Sequence, residues 1–430
     1  MSDPAAALRP VLSSEGYQLL NSLPDYDEAT AAEMNISLRK QGWPAETVAA
    51  ALTQLRLRRD AQTKFGSFAS SMLFTDHGLQ QATRLPVAAR HAQRFRAAGL
   101  QHVADLGCGL GADSLAFASA GMQVTAVEAD ETTAAAATMN LVAFPEARVV
   151  HDTAEGFAAQ HQLLASTAVP DGWGLWLDPA RRHAAASQKP SRIWHPEEFS
   201  PPLSFATELA ATGIPVGVKL GPGIPHELVP ANCEAQWVSI DGELVEVVLW
   251  FNALATVGVR RSATALRSST TDPLSAAAVD LTSAAEFGEG PDPEPAGRHG
   301  LHGVLCEPDP AVIRAGLVAD LAAQLQGWML DEHIAYFCTE EPPAGPLAAL
   351  VRGYRVLETM DYSPKTLKRW CADHQVTSVE IKKRGVDVVP ETLRKQILPQ
   401  RPAGPKHHVT LVLTRIDDER VAAVVEPLPR

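Results

Sequence analysis

At 430 residues with 46% apolar side chains, the chain has room for two or three domains and is too apolar to be mainly disordered. Fifty acidic against 37 basic side chains leave a net charge of −13, which excludes a generally basic, histone-like nucleic-acid binder. No apolar run approaches the roughly 18 residues of a membrane-spanning helix, and the opening MSDPAAALRPVLSSEGYQLL lacks the pattern of a secretory signal. Five scattered cysteines fit neither a disulfide framework nor C-x-x-C zinc spacing, so no metal site and a reducing cytoplasm are expected.

In chain order, residues 1–95 read as a helical N-terminal extension. Residues 45–60 carry Val48, Leu52, Leu55 and Leu57 with charges between, the pattern of an amphipathic helix, and residues 80–96 are similar, with Val87, Ala88, Ala92 and Phe95 as inward positions. Residues 96–260 alternate apolar runs with alanine-rich helical stretches. The runs are HVADL (102–106), QVTAVE (123–128), ARVVH (147–151), GLWLD (174–178), PVGVKL (215–220) and ELVEVVLWF (243–251). That alternation predicts an α/β core with a mostly parallel sheet. Residues 261–300 are rich in Ser, Thr, Ala, Gly and Pro and read as a linker or surface connection. Residues 301–430 form a smaller α/β domain, with a Pro-started helix over 307–325 and strands in HIAYFC (333–338) and HVTLVLTR (408–415).

The segment VADLGCGLGADSLAFASAGMQVTAVEAD carries the strongest chemical signal. A strand ends at Asp105 and Leu106, Gly107, Gly109 and Gly111 punctuate the turn, and a helix opens near Asp113. Glycines serve where backbone takes φ > 0 or passes close to a ligand. The next strand ends at Glu128, seventeen residues after Gly111, where an acid can accept from ribose hydroxyls. The D-x-G-x-G-x-G spacing differs from the G-x-G-x-x-G of nicotinamide sites. Asp105 and Asp113 on either side of the loop would repel a diphosphate and suit a cationic ligand such as S-adenosylmethionine.

This stretch resembles motifs I and II of the class I S-adenosylmethionine-dependent methyltransferases over about residues 75–255. The resemblance implies a seven-stranded Rossmann-like sheet. It implies S-adenosylmethionine as cofactor, with Asp105, Gly107, Gly109 and Gly111 on its methionine side and Glu128 on its ribose. Asp152, in VVHDTAEGF, matches the position that contacts the adenine amine; the same residue also reads as a helix N-cap, with Glu155 three residues on. The preceding FTDHGLQQATRLPVAARHAQRF is similar to the approach segment of trimethylguanosine synthases, and the match puts Thr83 over the cofactor.

The fourth strand leads into Asp178-Pro179-Ala180-Arg181-Arg182. Methyl transfer needs a nucleophile held in line with the sulfonium, so the protein's part is positioning and charge placement. Asp178 and the stiff carbonyl before Pro179 can accept an amine or amide proton, and Arg181 and Arg182 can hold phosphate; solvated arginines at a strand exit are the alternative. The loop is similar to the D-P-P-Y and D-P-P-R motifs of amine and uridine methyltransferases but lacks an aromatic to stack a base. Cys233 lacks the neighbours of the uridine enzymes' nucleophile, which argues against covalent C5 chemistry. Lys219 either lines the pocket or snorkels to the surface.

Between residues 352 and 406, twelve Lys and Arg face six Asp and Glu, a local excess of +6. EPDPAVIRAGLV, IAYF, YSPKTLKRWC, VEIKKRGVDV and VTLVLTR resemble the THUMP-like domain found behind a methyltransferase core in an uncharacterised bacterial family. That resemblance implies RNA binding, for which Lys365, Lys368, Arg369, Lys382, Lys383 and Arg384 are the candidate phosphate contacts. The expected function is an S-adenosylmethionine-dependent methyltransferase acting on RNA. Methylation of a protein or small molecule, or non-catalytic binding of cofactor and RNA, stand as alternatives.

Overall fold

The computed structural model describes residues 4–165, 171–181, 195–269, 271–272, 275–398 and 406–429, without the side chains of residues 4–7 and Arg181. Arg182 lies outside the described residues. Two compact units emerge: one of Met1–Glu234, Glu246–Val257 and Arg267–Ala277, the other of Ala235–Val245, Gly258–Leu266 and Ala278–Arg430.

The first unit opens with α1 (Pro4–Leu12), α2 (Ser14–Ser22), α3 (Ala31–Lys40), α4 (Ala45–Phe65), α5 (Asp76–Gln81) and α6 (Leu85–Ala97). The helix expected over residues 80–96 is broken. α5 ends at Gln81, and Pro86 stands in the first turn of α6, where a missing N–H costs nothing. Thr83 therefore sits in the turn between two helices. Leu8, Leu20, Val48, Leu57 and Phe65 pack into the same core as Leu115 and Phe117, so the helical N-terminus completes the core of this unit.

Alternating strands and helices follow: β1 (His102–Leu106), α7 (Ala112–Ser119), β2 (Gln123–Glu128), α8 (Glu131–Asn140), β3 (Ala147–His151), α9 (Ala154–Gln160) and β4 (Trp173–Leu177). A two-residue pair, β5 (Ala180–Arg181) and β6 (Phe199–Ser200), precedes α10 (Leu203–Ala211) and β7 (Val216–Leu220). β8 (Glu234–Ile240) and β9 (Glu243–Phe251) are the arms of a hairpin turned at Asp241 and Gly242, both with positive φ. In this unit the strand order is β9-β7-β4-β1-β2-β3. β1 runs parallel to β2 and β4, and β7 parallel to β4; β9 is antiparallel to β7. The parallel strands thus end together, bringing residues 107–111, Glu128, Asp178 and Lys219 to one edge of the sheet, where open α/β folds bind ligands.

The segment 261–300, expected as a linker, contains β10 (Arg261–Ser268) and β11 (Ala276–Ser283), and β10 pairs parallel with β8. The chain beyond β11 is anchored too. The buried Arg261 guanidinium donates to the carbonyls of Ala285 and Glu289 at 2.9 Å and to that of Gly316 at 2.9 Å. β12 (Val304–Pro308) follows. The single helix expected over 307–325 is two, α11 (Pro310–Arg314) and α12 (Val318–Gln324), because Gly316 at φ 68° ends the first. Then come β13 (Trp328–Met329), β14 (Phe337–Thr339), β15 (Val351–Asp361), α13 (Pro364–Asp373), β16 (Ser378–Lys383), α14 (Pro390–Ile397), β17 (His408–Ile416) and β18 (Glu419–Pro427). Seven of these strands form one sheet in the order β13-β14-β12-β15-β18-β17-β16. Leu367, Cys371, Leu393 and Ile397 of α13 and α14 pack on Val379, Ile381, Leu411 and Leu413 of the sheet.

All five cysteines are buried, Cys108 and Cys233 in the first unit and Cys306, Cys338 and Cys371 in the second. Among the described residues no helix is long and apolar enough to cross a membrane.

Candidate functional site

After β1 the backbone turns through three left-handed glycines, Gly107 at φ 99°, Gly109 at φ 55° and Gly111 at φ 85°. The N–H groups of Gly107 and Cys108 both donate to the Val127 carbonyl, at 2.9 and 3.0 Å, which ties the loop to the end of β2. A Cβ at Gly107 would come within 3.3 Å of the Asp178 carbonyl oxygen, so this glycine lets the two loops approach. A Cβ at Gly109 would meet nothing within 4 Å, which leaves the space over the loop open. Asn140 of α8 supports the loop from behind, donating to the Leu110 carbonyl at 2.9 Å and to the Leu73 carbonyl at 3.1 Å.

Three of the carboxylates expected around this loop differ sharply in surroundings. Asp105 is buried; Ser114 donates to its Oδ2 at 2.6 Å, while Oδ1 has no partner among the described residues. Burial, then the charge of Asp113, pushes Asp105 well above the usual carboxylate range. Glu128 is half-buried and accepts from the N–H of Gly109 at 3.0 Å and of Asp130 at 2.9 Å. It joins the loop to β2 and keeps further lone pairs. Asp152 accepts from its neighbour Thr153 N–H at 2.7 Å. The N-cap of α9 is Thr153, whose hydroxyl accepts from Gly156 N–H at 2.9 Å, so the capping role considered for Asp152 belongs to the next residue.

Asp113 faces inward. Its Oδ2 accepts from Thr83 Oγ1 at 2.8 Å and its Oδ1 meets His91 Nδ1 at 2.8 Å. Both oxygens thus serve protein partners, and Thr83 and Asp113 are linked to each other. Thr83 Oγ1 in turn accepts from Lys219 Nζ at 2.9 Å, and Lys219 pairs with Asp178 Oδ2 at 2.5 Å. Lys219 is buried, not snorkelling. Burial raises the Asp178 carboxyl, the Lys219 charge pulls it back, and it comes to rest at about 6. Burial works against the charge on Lys219, but Asp178 and Asp113 outweigh it and hold the ammonium charged. Pro179 is buried behind Asp178. The Arg181 backbone pairs in β5; its side chain is outside the described residues, as is Arg182.

The sequence reading missed His91, Glu246 and Trp176. His91 Nε2 meets Glu246 Oε1 at 2.6 Å, and its ring lies 4.4 Å from that of Trp176, two residues before Asp178. A signal was present: His91 falls at the i+3 and i+4 positions after Ala88 and Val87, on the face already identified as inward. Glu246 carries none, because its role depends on β9 lying beside β7.

In the second unit the six candidate RNA contacts separate. Lys365, Lys368 and Arg369 are exposed on α13. The other three have protein partners: Lys382 pairs with Glu380 at 2.9 Å, Lys383 donates to the Val388 carbonyl at 2.6 Å, and Arg384 pairs with Glu307 at 3.3 Å while lying over the Tyr336 ring.

Comparison with known proteins bears on both units. Residues 351–427 match a family model described as THUMP domain-like, and residues 4–61 match a domain of unknown function, DUF8688. Over 370 residues the chain is 30% identical to an uncharacterised S-adenosylmethionine-dependent methyltransferase of Mycobacterium tuberculosis strain CDC 1551, covering 84% of this chain and 90% of that protein. The figures are the same for the protein of strain H37Rv. A crystal structure of a proposed methyltransferase from Porphyromonas gingivalis W83 superposes with a TM-score of 0.68 at 20% identity, over 94% of this chain and all of that one, which shows the shared fold.

Proposed function

This chain belongs to the S-adenosylmethionine-dependent methyltransferases, and from that membership we propose that its methyl acceptor is RNA, held in part by the cationic face of α13. The observation that carries the reading is the exposure of Lys365, Lys368 and Arg369 on one helix inside the THUMP-domain-like segment. Three cations at helical spacing suit successive phosphates of a flexible strand.

The residues at the sheet edge fit the cofactor. An open, side-chain-free turn at Gly109 and a half-buried Glu128 with lone pairs to spare are what a ligand with ribose hydroxyls requires. Gly107, Gly109, Gly111 and Asp105 would hold its methionine portion, Glu128 its ribose, and Asp152 its adenine amine; Thr83 and Asp113 would act from beneath by fixing Lys219 and the start of α7. When bound, the cofactor supplies an electrophilic methyl group on a sulfonium. Asp178 then has the task of accepting a proton or hydrogen bond from the acceptor, and Lys219 holds that carboxylate in place. Pro179 stiffens the carbonyl beside it, and Arg181 would reach an acceptor phosphate.

Incubation with labelled S-adenosylmethionine and separate total RNA, protein and metabolite fractions tests the acceptor. Label entering RNA is the expected result; label confined to protein or metabolites overturns it.

A further inference from the structure

Beneath the sheet edge runs an unbroken chain of polar contacts from Glu246 through His91, Asp113, Thr83 and Lys219 to Asp178, with links of 2.6, 2.8, 2.8, 2.9 and 2.5 Å. All but Asp178 are buried. We propose that His91 is a positioning residue, an imidazolium clamped between two carboxylates that sets the orientation of Thr83, Lys219 and, through them, Asp178 for methyl transfer. The inference rests on the placement of Asp178 at the acceptor, and is indifferent to whether that acceptor is RNA.

The donor count carries the argument. Both ring nitrogens of His91 face carboxylate oxygens, and a neutral imidazole would turn a lone pair on one of them. With both carboxylates ionised, the ring must be doubly protonated. Burial opposes that charge, but Glu246 and Asp113 outweigh it and hold the imidazolium up to about 9. His91 in turn keeps Asp113 ionised: burial raises Asp113, and the hydrogen bond and charge of His91 bring it below the usual range. An ionised Asp113 takes the only proton of the Thr83 hydroxyl, which leaves that oxygen free to accept from Lys219. The polarity of every later link follows from the charge on His91. Trp176 and Trp250 wall the ring off, with centroids 4.4 and 6.1 Å away, so the charges act through a dry medium.

The groups facing His91 are Asp113 on α7 and Glu246 on β9; one turn along α6, Arg94 is paired with Glu234. Lys219 is held too high to titrate between pH 6 and 10. In protein carrying carbon-13-labelled aspartate and histidine, the Asp178 carboxyl resonance should inflect near 6 for its own proton and again near 9, where the His91 ring resonances titrate. In H91Q the second inflection should vanish. In E246Q it should move to lower pH together with the His91 titration. On whichever fraction wild-type protein labels, H91Q should lose about 10²-fold in kcat with KM for S-adenosylmethionine nearly unchanged. An Asp178 resonance without the upper inflection, or one whose inflection survives H91Q, overturns the proposal. Should H91Q fail to fold, an inflection that stays put in E246Q while the His91 titration moves does the same. Because the resonances need no acceptor, absence of RNA labelling counts against the RNA reading alone.

Discussion

Asp178 commits one oxygen to the Lys219 ammonium and leaves 32% of its side chain open, the most exposed member of the buried polar chain. Removing it should separate binding from turnover: Asp178→Ala is expected to keep cofactor affinity, measured by calorimetry, and to abolish methyl transfer. Wild-type rates in this variant would make the residue structural. Its raised carboxyl adds a pH signature. The group is charged and able to accept only above about 6, so kcat should fall as pH drops through that value, whereas an ordinary carboxylate would hold activity down to about 4. Glu128 is the counterpart proposed for the cofactor side. Glu128→Ala should weaken S-adenosylmethionine binding by about 1.5–3 kcal/mol, the range for charge-assisted hydrogen bonds, and loosen the Gly109 turn it ties down; an unchanged Kd by calorimetry would remove it from the site.

At the scale of elements, the RNA contact proposed for α13 predicts an affinity that can be tuned apart from cofactor binding. Reversing Lys365, Lys368 and Arg369 to Glu should flatten the salt dependence of RNA binding by about two logarithmic units per tenfold salt, at about 0.7 per phosphate contact. Cofactor affinity, measured by calorimetry, should not change. A salt slope identical to wild type would take α13 off the RNA path. The glycine turn and β1, β2, β3 and β9 were all legible in the sequence, because glycines, charges or apolar runs mark them. β10 and β11 were not. RSATALRS is buried on both faces over most of its length and so lacks the alternation that betrays a strand, while AAAVDLTS alternates only over residues 279–282, too short a run inside a stretch of small residues to stand out. The polar chain was partly legible: Asp113 follows from the loop spacing and Asp178 from the end of the fourth strand, whereas His91 and Glu246 lie 155 positions apart in sequence and meet only through packing.

For the whole molecule, the burial of five thiols provides a built-in stopwatch. Burial lifts Cys306 and Cys371 to about 11 and Cys338 to about 12, and pushes Cys108 well up, so at neutral pH these sulfurs are protonated as well as shielded. An alkylating reagent should find almost nothing to react with until a region opens, and mass spectrometry of the labelled peptides would then time each unit separately. Cys108 sits inside the glycine turn itself. A saturating ligand there, such as S-adenosylhomocysteine at a hundred times its Kd, should slow Cys108 labelling about 100-fold, since it stabilises the closed form by about 2.7 kcal/mol. Cys306, Cys338 and Cys371 would time the second unit in the same tube. Prompt alkylation of Cys108 in the native protein would mean the turn opens far more readily than its hydrogen bonds imply.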